Sequence, residues 1–183
     1  MARIYLASSW RNEHQPAAVE LLRTNGHQVY DFRNPPNGVK GFAWSEIDPD
    51  WQGWSAASYR ELLTTHPIAA RGYMNDFRGM EWADTCVLLL PCGRSAHLEA
   101  GWFAGRGKRL IIWTRDGEEP ELMALMAHHI CISADEVLAA LGDPQQVKIT
   151  IETDADGRFE ASMQRIEESI AMGARRAPRA FRR

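Results

Sequence analysis

Three observations predict that this 183-residue chain folds as a doubly wound α/β layer structure on a parallel sheet. Short, continuously apolar runs such as 84–90 (DTCVLLL) and 108–113 (KRLIIW) read as strands buried on both faces. Such runs alternate with helical stretches, the βαβ pattern that goes with parallel pairing. Five of them fall within fewer than 135 residues, a strand density that fits one sheet covered by helices on both sides.

Each element has its own signal. Residues 3–8 (RIYLAS) read as a short buried strand, and 11–25 as a helix stopped by Gly26, which suits the left-handed position after a helix. Residues 27–32 (HQVYDF) form the second strand. Residues 33–54 hold three prolines among Asn34, Asn37, Gly38, Gly41 and Gly53 and show no periodicity. A loop beyond about 15 residues in a compact domain is a functional lid or a disordered segment, and Trp44, Trp51 and Trp54 favour an ordered lid. Residues 55–82 are helical with a break near Pro67, and 84–90 are the strongest strand, stopped by Pro91. A helix over 95–106, a strand over 108–113, a short helix over 120–127, a short strand over 129–132 (HICI) and a helix over 134–141 complete the pattern. Residues 1–142 thus read as one α/β domain, flavodoxin-like (Rossmann-like), with five strands. Residues 143–173 read as a strand–helix extension: VKITIE, an Asp156-Gly157 turn, and a helix whose Phe159, Met163, Ile166 and Ile170 share a stripe, for packing or for a subunit interface. The tail, 174–183, is expected to be disordered.

Charge is unevenly distributed behind a net of −3. Five arginines lie in 174–183, so the first 173 residues carry 16 basic and 24 acidic side chains. An acidic body argues against a protein that coats nucleic acid. Cys86, Cys92 and Cys131 form no CxxC pair and are odd in number, which argues against a disulfide framework and a zinc site and points to a reducing cytoplasm. The N-terminal MARIYLASSWRNEH turns polar too soon for a secretory signal, and no run approaches 18 apolar residues, so no membrane association is expected. No GxGxxG and no GxxxxGK[ST] occurs, so neither a dinucleotide nor any other cofactor is expected. His128-His129 are adjacent and point in different directions, which leaves them no shared metal.

In doubly wound sheets, ligands bind beyond the carboxyl ends of the strands where strand order reverses. Two segments meet there: Ala7-Ser8-Ser9-Trp10 after the first strand, and Pro91-Cys92-Gly93-Arg94-Ser95 after the third. With Ser95 as N-cap, Glu99 falls in or just past the first helical turn, where the helix dipole favours a permanently ionised carboxylate. Such a group suits a nucleophile or a hydroxyl anchor; an ordinary surface residue complementing the dipole is the competing reading. A second acid, Asp76 in Gly72-Tyr73-Met74-Asn75-Asp76-Phe77, is either a cap residue or the partner that glycosyl chemistry needs.

Ile4-Tyr5-Leu6-Ala7-Ser8-Ser9-Trp10, Tyr73-Met74-Asn75-Asp76-Phe77-Arg78-Gly79, and Glu99-Ala100-Gly101 with Ala104 and Gly107-Lys108 together resemble the nucleoside 2-deoxyribosyltransferase family, in its order and close to its spacing, over about residues 3–115. The resemblance implies a flavodoxin-like fold and cleavage of the N-glycosidic bond of a (deoxy)nucleoside or nucleoside 5′-monophosphate, by transfer to another base or by hydrolysis. It implies that Glu99 is the nucleophile holding the sugar as a covalent ester, that Tyr5 orients Glu99, and that Asp76 serves proton transfer at the base. Asp76 would need a raised pKa to donate a proton. The alternative is a non-catalytic nucleotide-sensing module on the same fold, or an adaptor acting through the arginine tail.

Two departures from the family pattern bear on the site. The family's transferases carry an acid six residues before the nucleophile to bind a sugar hydroxyl, and here that residue is Gly93. Arg94 and Ser95 beside it are either a phosphate site at a helix N-terminus or a solvated side chain and a cap. His97 faces phosphate or leaving group, or is a surface histidine. Ser8, Ser9 and Asn75 complete the expected substrate contacts. Trp10 is the better candidate for stacking on a base, and Trp44, Trp51 and Trp54 either stack likewise or pin their loop. The second departure is in residues 140–183, which do not match the region through which family members complete a neighbour's site. A homodimer or higher homo-oligomer remains the expectation.

Overall fold

The computed structural model describes residues 1–36, 38 and 40–142. The expected strand–helix extension and basic tail lie outside the described residues. Five strands, β1 (Arg3–Ala7), β2 (Gln28–Tyr30), β3 (Thr85–Leu89), β4 (Arg109–Trp113) and β5 (His129–Cys131), pair in the order β2-β1-β3-β4-β5. Every pairing is parallel, so the chain reverses its direction of growth between β1 and β3. This is the flavodoxin-like sheet expected from the alternating pattern.

Side chains alternate across a strand, and β1 shows what that does. Ile4 and Leu6 point to one face, where α1 (Gln15–Thr24) and α5 (Ala134–Gly142) contribute Ala18, Val19, Leu22, Val137 and Ala140. Tyr5 and Ala7 point to the other, where α3 (Pro67–Trp82) and α4 (Arg94–Gly105) contribute Met80, Ala96, Ala100 and Phe103. A sheet covered on both sides needs apolar residues at successive positions, which is why β3 is buried throughout. Helix α2 (Ala56–Thr65) buries no residue of its own and packs on α3. The expected break between them falls at Pro67, which opens α3 behind the cap provided by His66.

Two helix starts differ from expectation. Helix α1 begins at Gln15 rather than residue 11, because Asn12 is committed elsewhere. Its buried side chain accepts from the His14 N–H and donates to the Ser8 hydroxyl and to the Leu89 and Pro91 carbonyls, tying the loops after β1 and β3 together. Pro16 lacks an N–H and fits only the first turn that results. Helix α4 begins at Arg94, with Gly93 and not Ser95 at the N-cap. The segment expected as a short helix over 120–127 is a 3₁₀ turn, Leu122–Met126.

The long loop is ordered by its own aromatics. Trp44 meets Phe42, Trp54 and Tyr59 edge-on, with centroids 4.7, 5.6 and 5.9 Å apart. The Trp54 Nε1–H donates to Asp48 at 2.6 Å. Trp44 and Trp54 therefore pin the loop to itself and to α2.

Candidate active site

The site is built on the α3/α4 face of the sheet, around two tyrosines. Tyr5 of β1 and Tyr30 of β2 are direct register partners, so both side chains leave the same face side by side. Their rings stack with centroids 5.4 Å apart and planes 10° from parallel. Phe103 of α4 closes the other side of Tyr5, at 5.8 Å. Four residues before Phe103, and hence on the same face of α4, lies Glu99, whose carboxyl the Tyr5 hydroxyl hydrogen-bonds. The Tyr30 hydroxyl donates to Asp76 Oδ1 of α3 at 3.2 Å. Two stacked phenols thus each hold one carboxyl, from two different helices.

Gly79 makes this approach possible. A Cβ there would come within 2.7–2.8 Å of the Tyr30 ring, inside any real carbon–carbon contact. Only glycine lets α3 lie so close over β2 with Asp76 one turn away.

Both carboxyls are half-buried, and burial dominates their electrostatics. Glu99 is pushed up to about 7, first by desolvation and then by the negative charge of Asp76, with the Tyr5 hydrogen bond opposing. Asp76 is pushed up to about 6 by desolvation, opposed by its bond from Tyr30. This corrects the expectation of a permanently ionised Glu99. With the helix starting at Arg94, Glu99 lies in the second turn, beyond the stretch where the dipole acts strongly, and burial wins. Between about pH 6 and 7 the pair shares about one proton between two carboxyls and titrates as a unit. Tyr5 is driven well above its ordinary value by burial and by Glu99, so it stays a donor.

The shift at Glu99 has a consequence for stability. A carboxyl with a folded-state pKa near 7 and an unfolded value near 4.3 leaves stability intact at low pH and withdraws it as pH rises between the two. Glu99→Gln removes that loss. The variant is expected to match the parent at pH 4 and to exceed it by about 1–3 kcal/mol at pH 8, as read by denaturant unfolding at both values.

The remaining expected residues divide. The Ser8 hydroxyl donates to the Leu89 carbonyl at 2.9 Å and accepts from Asn12 at 3.0 Å. It clasps the loops after β1 and β3 together. The Ser9 hydroxyl accepts from the Arg11 N–H at 3.1 Å. Trp10 is 52% exposed but has the Arg33 guanidinium over its ring at 5.6 Å and Phe32 against it at 5.4 Å, so part of its stacking surface is taken. Asn75, next to Asp76, is half-buried with no hydrogen-bond partner among the described residues. Gly93, Arg94 and Ser95 gather at the start of α4, where no side chain among the described residues caps the first-turn N–H groups. Ser95 lies one turn before Glu99 on the same helix face. His97 turns back toward the loop, with Nδ1 3.2 Å from the Gly93 carbonyl and 3.5 Å from Cys92 Sγ. Burial and Glu99 raise the Cys92 thiol to about 12, which favours its protonated form. Among the described residues no cluster of three or more His, Cys, Asp or Glu side chains suits a metal ion, and no helix is long and apolar enough to cross a membrane.

Tyr30 was not among the residues singled out from sequence. Its only signal there is a second tyrosine on the neighbouring strand, and its meaning depends on the register that sets it beside Tyr5.

No family model matches the chain, and no curated protein matches it by sequence. Among solved structures, the 2-deoxyribosyltransferase of the psychrotolerant bacterium Bacillus psychrosaccharolyticus superposes with a TM-score of 0.55 at 23% identity, over 75% of this chain and 90% of that one. The two share a fold. A solved CMP N-glycosidase, BcmB of Clostridium botulinum, matches at 16% identity and a TM-score of 0.43, over 77% of this chain and 99% of that one. The similarity of fold is carried by the first.

Proposed function

We propose that this protein is an enzyme cleaving the N-glycosidic bond of a nucleoside or nucleoside 5′-monophosphate, by transfer to a second base or by hydrolysis. The observation that carries the reading is the pair of half-buried carboxyls, Glu99 and Asp76, each held by a tyrosine and both raised toward neutral pH. The fold of a 2-deoxyribosyltransferase supports it.

In this mechanism a Glu99 oxygen attacks C1′ while the bond to the base breaks and Asp76 delivers a proton to the departing nitrogen. The sugar is left as an ester of Glu99. Water or a second base then attacks C1′ from the vacated side, Asp76 takes its proton, and Glu99 leaves as carboxylate. Two inversions give retention. The single proton shared by the pair is what this needs, placed on Asp76. In the empty site it is drawn more to Glu99, and positive charge developing at C1′ favours the ionised glutamate and sends the proton across.

The same reading puts a 5′-phosphate at the start of α4, near Arg94 and Ser95, where uncapped N–H groups and the helix dipole favour an anion. Arg94→Ala is then expected to raise KM for monophosphates by about tenfold or more while leaving nucleosides unchanged. An equal change for both classes would remove the phosphate from that position.

The deciding experiment incubates the protein with ribo- and deoxyribonucleosides and their monophosphates, with and without an acceptor base, and follows base release by chromatography. Release without acceptor marks a hydrolase, and exchange marks a transferase. Binding without release on every member would overturn the catalytic reading and leave a nucleotide sensor.

A further inference from the structure

The Tyr30 hydroxyl is chemistry that the mechanism above leaves unused. Tyr30 is 5% exposed, and its ring is fixed on two sides, by the stack on Tyr5 and by the bare backbone of α3 at Gly79. The strand end behind it is anchored as well. Asp31 is buried and accepts from Gln15 Nε2 at 2.8 Å, Asn34 Nδ2 at 2.9 Å and the Arg33 N–H at 3.0 Å. A phenylalanine would fill the same space equally well. What tyrosine adds is a donor aimed at one oxygen of Asp76, and that bond is the one hydrogen bond the Asp76 side chain makes among the described residues. It occupies Oδ1 and leaves Oδ2 for the reacting atoms.

We propose that Tyr30 is a positioning residue for the reaction, holding Asp76 by its Oδ1 in fixed relation to Glu99 through the stacked Tyr5–Tyr30 pair. Its part in turnover rests on the N-glycosidic reading, whereas its hold on Asp76 does not. Because a phenol donating to a carboxylate favours the ionised form, Tyr30 also restrains the burial that raises Asp76, keeping it able to release its proton and to take one back. The groups facing this pair are Tyr5 from β1, Tyr30 from β2 with Asp31 behind it, Cys86 from β3, Cys92 from the loop that follows, and the two acids themselves.

The test is Tyr30→Phe, with Gly79→Ala as a second variant that keeps the hydroxyl but drives the ring away. In the free protein, carbon-13 NMR of labelled aspartate is expected to show Asp76 titrating about one pH unit higher in both variants. In turnover, kcat is expected to fall about tenfold with KM within twofold, and the alkaline limb of the pH profile to move upward by a similar unit. An Asp76 titration unchanged in Tyr30→Phe overturns the proposal. So does a shifted titration with kcat and pH profile intact in an active enzyme, which would leave Tyr30 as packing. Should the parent release no base from any substrate while the titration moves, the hold on Asp76 stands and the N-glycosidic reading falls.

Discussion

Glu99→Ala is expected to reduce base release by about 10⁴-fold or more while substrate still binds. In the proposed mechanism the substitution removes the atom that forms the new bond, so the reaction would lose its intermediate and not merely a contact. Binding should survive because the groups proposed to contact substrate lie elsewhere, on Asn75, Trp10 and the start of α4. Formate is a carboxylate small enough for the vacated space beside Tyr5, and adding it is expected to restore part of the rate. A variant that retains base release within tenfold of the parent would show that Glu99 is not the nucleophile. Isothermal titration with a slow substrate, run beside the kinetics, separates lost chemistry from lost binding.

Asp76→Asn carries the second largest effect. An amide cannot deliver a proton to the departing base, and base release is expected to fall about 10²–10⁴-fold. The fall should be smallest for a nucleoside whose base leaves readily without protonation. The direction of a second change follows from the charge lost. Asp76 raises Glu99 by its negative charge, so the variant's Glu99 ionises at lower pH. The acid limb of the residual pH profile should accordingly move downward. An acid limb left in place would mean that the two carboxyls do not feel one another.

Much of the architecture follows from local chemistry. The apolar runs of β3 and β4 announce a sheet covered on both faces, and Pro67 and Pro91 mark real boundaries. Where local signals fail, a distant partner decides. Asn12 looks like an ordinary helix residue until the Leu89 and Pro91 carbonyls claim its amide, and the start of α1 moves accordingly. Ser95 carries the better capping side chain, yet the chain turns at Gly93 and the N-cap lies two residues earlier. The ionisation of Glu99 departs from the sequence expectation for the same reason. Helix position is written in the sequence, whereas desolvation depends on what β1, α3 and α4 bring around the carboxyl. Tyr30 was invisible because its bond joins residues 46 positions apart through a strand register and a glycine contact.

The alternation along β1 has a practical consequence for anyone modifying this molecule. Tyr5 faces the carboxyls, whereas Ile4 and Leu6 face α1 and α5 across the full thickness of the sheet. Substitutions distant from one another with no shared partner combine additively. Heat resistance can therefore be sought by repacking Val19, Leu22 and Val137, and substrate preference by varying the proposed substrate contacts Gly93, Arg94 and Asn75, in two separate libraries whose best members are then joined. Gly93 is a ready entry point for the second library, since a Cβ added there meets no atom within 4 Å.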